Sequence, residues 1–524
     1  MATLKELNRV LTAHGYAIKK SSLTPTSTQK LRKDLTVSPT LNEKFVRAAG
    51  LPSFTVYSES ATRFYVPRCW GNDTYGPAEA EAVPEGDPLR AELQFVGKPY
   101  DYQKAIVDQF FDAGSNGLIC VPCGRGKTFM AIWCSMRIGR KFMIVVDKEF
   151  LMNQWKGELE SLVPGIRVGI LQEDKCQVGQ ETVYKKPKPI PELKQLCREK
   201  GLKVGGTRDD LVARLKENDP SFQEIETETV VYDCTIAMIQ TLVQREFHQD
   251  VFKQFGFTIF DECHHLGAAH FSRALLKVQT KCMLGLSATP VRDDGLTKVF
   301  EWFLGKPVYW EKTREPDPHV EVRCIQFETE DADYNQIPTD YKGEPVLARL
   351  LTKVVECEER NEKIAGLIRE LAEDSRRRIL VLSERISHLN TIEELLKDSG
   401  LSMSYYIGGM KEEIRESGAK EARVLLASYA MASEAMNIKH LNTVILASPR
   451  KKVEQSTGRI LRVQKDQREV NPIIVDIVDS HGMYQGQWRK RAAYYKKCAY
   501  RIQYENQTQS ETEETNEKEE CLID

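Results

Sequence analysis

The sequence predicts an α/β protein built on parallel sheets, and three stretches carry that prediction. The apolar run Leu118-Ile119-Cys120-Val121 leads into Cys123-Gly124-Arg125-Gly126-Lys127-Thr128 and then Phe129-Met130-Ala131-Ile132-Trp133. Strand, glycine loop and helix in that order form the βα unit of a parallel sheet. The apolar run Phe257-Thr258-Ile259-Phe260 reads as a second buried strand and ends in Asp261-Glu262-Cys263-His264. A second block repeats the alternation, with strands expected at Ile379–Leu382, Val424–Ala427 and Val444–Ala447, each followed by a helical stretch.

Length and composition bound the rest. A chain of 524 residues holds two to four domains. Its 74 basic residues are balanced by 76 acidic ones, so any surface for nucleic acid has to be local. The 13 cysteines are odd in number and sit mostly in apolar runs, and Cys120 and Cys123 form the one C-x-x-C. That usage predicts a reducing, intracellular compartment with neither disulfides nor structural zinc, whether nucleus or cytoplasmic viral replication site. The sequence shows neither a signal peptide nor an apolar run long enough to span a membrane.

In chain order, residues 1–95 are expected to form an N-terminal α+β module. Leu4 to Val10 suggests a short helix, Phe54–Tyr57 and Arg63–Trp70 suggest strands, and the acidic Pro77–Pro88 stretch suggests a linker. Arg63 and Arg68, with aromatics between them, are weighed as nucleic-acid contacts against the blander reading of a β module docked on the core. The first large domain is expected over 96–312. Within it, Tyr100-Asp101-Tyr102-Gln103 leads into a helix expected over Lys104–Phe111, and Gln103 is suited to reading adenine, because its amide offers a donor and an acceptor. Trp155 is expected to pack.

The glycine loop suits a phosphate. Gly124 and Gly126 allow a tight turn that points successive N–H groups into one concavity, and the following helix adds its positive end. Cys123, Gly124, Arg125, Gly126, Lys127 and Thr128 are the expected ATP-binding residues. Lys127 reaches the β- and γ-phosphates, and Thr128 holds Mg²⁺. Val121 stands where the longer form of this motif has its first glycine. Asp261 is the second expected Mg²⁺ residue, partly through water, and Glu262 orients and deprotonates the attacking water. His264, Ser287 and Thr289 are expected to couple the nucleotide to the rest of the molecule.

Residues 185–216 carry ten basic residues against four acidic ones. Two short helices are expected there, with apolar faces Leu193, Leu196, Cys197 and Leu211, Val212, Leu215. Thr207 N-caps the second, with Asp210 three residues on. Lys194, Lys200, Lys203 and Arg208 are the expected DNA contacts. Residues 313–345, with four prolines, read as a linker holding one strand, Val320 to Phe327. The second α/β domain is expected over 346–504. In it Gln455 opens a helix on which Arg459 and Arg462 share a face, so two guanidiniums clamp a transferring phosphoryl group. The acidic tail 505–524 is expected to be disordered.

Together these motifs resemble the superfamily-2 helicases, from about Gln103 to Ile502. Four of them stand in that family's order: Gly124–Thr128, Asp261–His264, Ser287-Ala288-Thr289 and Gln455–Arg462. The resemblance implies two tandem RecA-like domains with ATP and Mg²⁺ between them. It implies catalytic roles for Glu262, Gln455, Arg459 and Arg462, and 3′ to 5′ movement on DNA, single-stranded or duplex, with protein partners in transcription or repair. The finer likeness is to the XPB-like group and to helicases of large DNA viruses, carried by Arg63–Gly71, Leu151–Trp155 and Met431–Glu434. Ala435 and Asn437 depart from the family pattern of Gly and Asp. Residues 187–218 resemble a SAP motif, which implies an extra grip on DNA. A duplex translocase, an RNA helicase and a non-enzymatic DNA-binding scaffold remain as rival readings.

Overall fold

A computed structural model describes residues 4–40, 53–122, 124–184, 187–222, 227–248, 250–292, 294–312, 315–434, 438, 440–461, 463 and 465–505. The chain forms two compact units, one within residues 1–308 and one within 309–524, except that the loops 120–127 and 287–289 group with the second.

The first unit begins with a five-stranded sheet in the order Ser58–Glu59, Arg63–Val66, Gly15–Lys19, Arg9–Thr12, Ala80–Ala82. Two expectations fail here. Leu4–Val10 is not a helix: a turn leads into the Arg9–Thr12 strand, which pairs on both sides. The supposed linker contributes the edge strand Ala80–Ala82. Neighbouring strands supply the backbone partners that override local helix preference. The strand at Arg63 stops at Val66, because Pro67 lacks an N–H and opens the helix Arg68–Tyr75.

Arg63 and Arg68 both serve the fold. Arg63 Nη2 donates to the carbonyls of Leu4, Lys5 and Leu7 at 3.1, 3.3 and 2.6 Å. Arg68 is buried and donates to Thr280 O at 2.6 Å, Lys281 O at 3.1 Å and Asn116 Oδ1 at 3.0 Å. The N-terminal module is therefore docked on the sheet that follows, and these arginines donate to backbone carbonyls and to the Asn116 side chain.

That sheet has eight strands, in the order Lys175–Cys176, Val168–Gln172, Cys234–Met238, Phe142–Val146, Phe257–Phe260, Cys282–Ser287, Asn116–Cys120, Pro307–Trp310. From Val168–Gln172 through Cys282–Ser287 the pairing is parallel. The strands Phe142–Val146 and Phe257–Phe260 are buried at every position, as a sheet covered on both faces requires. An antiparallel ribbon, Gln180–Tyr184 with Thr227–Val231, brackets the basic insert. The insert folds as the two helices Ile190–Glu199 and Arg208–Asn218, with Thr207 and Asp210 forming a capping box. Leu193, Cys197, Leu211, Val212 and Leu215 make a core of its own.

The second unit holds a seven-stranded, wholly parallel sheet. Its order is Met403–Tyr406, Val424–Ser428, Ile379–Ser383, Thr443–Leu446, Ile473–Asp479, Glu321–Phe327, Arg501–Glu505. The strand expected in a linker is thus an inner strand of this sheet, so the linker does not run to 345. Its partners lie about 150 and 180 residues away, and nothing local signals such pairing. The expected tail falls outside the described residues, apart from Glu505, which ends the last strand.

Candidate functional site

The glycine loop follows the carboxyl end of Asn116–Cys120, and Lys127 opens the helix Lys127–Ile138. Gly124 and Gly126 both take positive φ, +88° and +78°, conformations an L side chain resists. Arg125 Nε donates to Glu311 Oε2 at 3.1 Å, so its guanidinium is held by a carboxylate. The Val121 N–H donates to Ser287 O at 3.2 Å, and the Thr289 N–H donates to Ser287 Oγ at 3.1 Å. Ser287 and Thr289 therefore form a turn tied to the approach to the loop. Cys123 lies outside the described residues.

Asp261 and Glu262 stand at the carboxyl end of Phe257–Phe260, where parallel sheets present their ligand-binding groups. Asp261 Oδ1 accepts the Glu262 N–H at 3.0 Å, and Oδ2 accepts the Trp155 indole N–H at 2.8 Å. Trp155 is 1% exposed, so it packs as expected, but its indole also orients the Asp261 carboxylate. The signal was legible: a buried indole N–H needs an acceptor. Glu262 adopts a left-handed backbone, φ +43°, which costs of order 1–3 kcal/mol in a non-glycine residue. His264 Nδ1 lies 3.4 Å from Glu262 Oε2. The next histidine was not foreseen: His265 Nδ1 is 2.7 Å from Asp147 Oδ2. Burial pushes the Asp147 carboxyl up, but the His265 hydrogen bond and charge outweigh it and hold the group below its usual range. Arg292, also unforeseen, donates through Nη1 to the His264 carbonyl at 2.5 Å.

The hydroxyl of Thr128 and the carboxylate of Asp261 are hard oxygen donors of the kind Mg²⁺ takes. The Asp261 carboxylate accepts the two bonds given above, and a carboxylate oxygen is also the kind of acceptor that a metal-bound water uses. At Gln103 the structure adds a constraint: Oε1 accepts the Tyr100 N–H at 3.0 Å, at the start of the helix Asp101–Asp112. That bond fixes which way the amide faces.

Gln455 lies half-buried on the helix Glu454–Thr457, and Arg459 is buried on the short 3₁₀ turn Gly458–Leu461. The expected continuous helix breaks at Gly458. Arg462, like Ala435 and Asn437, lies outside the described residues. The segment entering this helix is pinned by three buried donors. Arg360 Nη1 bonds Ala447 O at 2.6 Å, Tyr429 Oη bonds Ser448 O at 2.9 Å, and Arg491 Nη1 bonds Arg450 O at 2.5 Å. Asp479 holds Arg360 at 2.7 Å and Asp476 holds Arg491 at 2.7 Å, both from the Ile473–Asp479 strand. Among the expected DNA contacts, Lys200 is paired with Asp219 at 2.7 Å. Lys203 is exposed, and Lys194 and Arg208 are partly buried.

Residues 97–292 match the family described as type III restriction enzyme, res subunit, and residues 362–465 match the helicase conserved C-terminal domain. A putative ATP-dependent RNA helicase of Acanthamoeba polyphaga mimivirus is 28% identical over 94% of this chain and 86% of its own. A putative ATP-dependent RNA helicase of African swine fever virus is 24% identical over 77% of this chain and 74% of its own. The putative DNA 3′-5′ helicase Rad25 of Halobacterium salinarum is 26% identical over 48% of this chain and 34% of its own. Among the described residues, no helix is long and apolar enough to cross a membrane.

Proposed function

The chain belongs to the superfamily-2 helicases, in the group that large DNA viruses carry, and from that premise we propose that it couples ATP hydrolysis to movement along, or unwinding of, DNA. Its helicase domains make it a nucleic-acid-dependent ATPase. The observation that carries the proposed roles is the position of two loops at the carboxyl ends of strands in one sheet. These are the glycine loop after Asn116–Cys120 and Asp261-Glu262 after Phe257–Phe260. In this reading Lys127 and the loop amides hold the phosphates, and Thr128 and Asp261 hold Mg²⁺. Glu262 orients the water, and Arg459 and Arg462 stabilise charge on the transferring phosphoryl group. Gln103 contacts adenine, and His264, Ser287 and Thr289 couple hydrolysis to movement.

DNA is favoured by the basic insert, whose compact helical pair, with its own core and capping box, suits backbone phosphates. The second reading, an RNA helicase, rests on the names of the viral relatives. The test is ATP turnover with single-stranded DNA, duplex DNA and RNA at matched salt. Stimulation by DNA at least tenfold above RNA is expected, and stimulation by RNA alone overturns the reading. Lys127→Ala is the control, expected to lose at least about a hundredfold in turnover, about 2.7 kcal/mol.

A further inference from the structure

The helix Gly482–Lys497 follows the strand Ile473–Asp479 and packs on the second sheet. It buries Tyr484, Trp488, Arg491 and Tyr495, which share one face at helical spacing. Asp476 fixes that face, accepting Arg491 Nη2 at 2.7 Å and Tyr495 Oη at 2.9 Å. The opposite face exposes Arg489, Lys490, Ala493, Lys496 and Lys497. Residues 482–497 hold five cations and no carboxylate, in a chain that has 76 acidic residues.

The side chains of Arg489, Lys490 and Lys497 make no hydrogen bond or ion pair among the described residues. Lys496 and Lys497 lie in the last turn, where cations suit the negative end of the helix. Arg489 and Lys490 stand mid-helix and gain nothing from that end. Like charges gathered on one docked face repel each other, and a polyanion relieves the repulsion. Apart from its cations, the helix exposes only Gly482 and Ala493. Its large apolar side chains are turned inward, so it has no apolar face to lay into a membrane or a hydrophobic groove. What it presents to a partner is charge.

We propose that this face binds the phosphate backbone of a nucleic-acid strand, as a contact on the second unit additional to the basic insert on the first. At ~1.5 Å per residue, Arg489 and Lys497 are about 12 Å apart along the helix, a span over which duplex DNA carries roughly seven charges. Cations on such a face contact phosphates and read no base edges, so the grip is independent of sequence. The inference rests on the nucleic-acid-dependent reading and does not depend on the assigned ATP roles.

The test uses the full chain without ATP. Fluorescence anisotropy follows labelled single-stranded DNA, duplex DNA and RNA of equal length across a salt series. The triple variant Arg489→Gln, Lys490→Gln, Lys497→Gln keeps residues that favour a helix and leaves the buried face untouched, and its Tm is compared with that of the wild type. Affinity at low salt is expected to fall at least about tenfold, and the log–log salt slope to shrink by about two to three units, near one per lost phosphate contact. Loss on the DNA strands identifies DNA as the occupant, loss on RNA identifies RNA, and loss on all three identifies the shared backbone. Should the triple variant fail to fold, Lys490→Gln alone is expected to shrink the slope by about one unit. Wild-type binding with an unchanged slope in the folded variant overturns the proposal, leaves the nucleic-acid reading standing and assigns the face to solvent or to an acidic protein surface. A wild type that binds none of the three strands overturns both.

Discussion

At Asp261 two N–H donors, one from the backbone of Glu262 and one from the Trp155 indole, meet a single carboxylate. The indole sits on the helix Glu149–Leu162, so a side chain from another element sets the direction in which the carboxylate faces. Trp155→Phe keeps the packing and removes the donor. Turnover is expected to fall about tenfold, in line with the ~1–1.5 kcal/mol of such a bond, with a raised Mg²⁺ requirement. An unchanged Mg²⁺ titration would reduce Trp155 to packing. Another buried group makes stability depend on pH. His388 is 1% exposed, bonded to Ser383 Oγ and Asn361 Oδ1 at 2.9 Å each. Burial first, then the Arg360 charge, push its pKa down from 6.5 to about 3. The unfolded chain therefore binds this proton between pH 6.5 and 3 while the folded chain does not. The stability it supports is complete above pH 6.5 and drains as pH falls, by at most ~1.4 kcal/mol per unit. Denaturant melts of His388→Gln should show a flatter slope in that window, and an equal slope would rule the histidine out as its source.

Among the elements, the insert is the most self-contained. Its helices bury their own core, and the chain enters and leaves through the paired strands Gln180–Tyr184 and Thr227–Val231. Because that ribbon brings the two ends together, residues 187–218 can be replaced by a short Gly/Ser linker without opening the sheet. Basal ATP turnover is expected to survive. DNA affinity should fall, and the log–log salt slope should shrink by roughly two to four units, about one per lost phosphate contact. Lys200 adds least to that number, since it is engaged by Asp219, whose carboxyl it helps hold down to about 2. An unaltered slope would assign the insert to a protein partner.

For the whole molecule, near-neutral charge means that grip on nucleic acid cannot come from a general field. It has to come from local contacts, and in the proposed mechanism these change with the nucleotide state. Glu262→Gln keeps the shape and removes the proposed base, so ATP should still bind while turnover stops. The chain should then dissociate from nucleic acid more slowly in ATP than in its absence. Equal off-rates in the two conditions would break the link between Glu262 and that grip.

The sequence by itself determined what local signals encode. Apolar runs mark the buried strands Asn116–Cys120, Phe142–Val146, Phe257–Phe260 and Ile379–Ser383, although the first begins two residues earlier than its run and ends before Val121. The glycine loop carries the residues its φ angles demand, and Thr207 with Asp210 announces a helix start. The tertiary structure alone decided what depends on distant partners. Arg9–Thr12 becomes a strand because two neighbours pair with it, and Glu321–Phe327 belongs to the second sheet through Ile473–Asp479. Arg68 turns inward because carbonyls more than two hundred residues away receive it, and Trp155 acquires its role from Asp261. A backbone or side-chain donor must be satisfied somewhere, and the sequence states that need. Which acceptor meets it is settled only when the chain closes on itself.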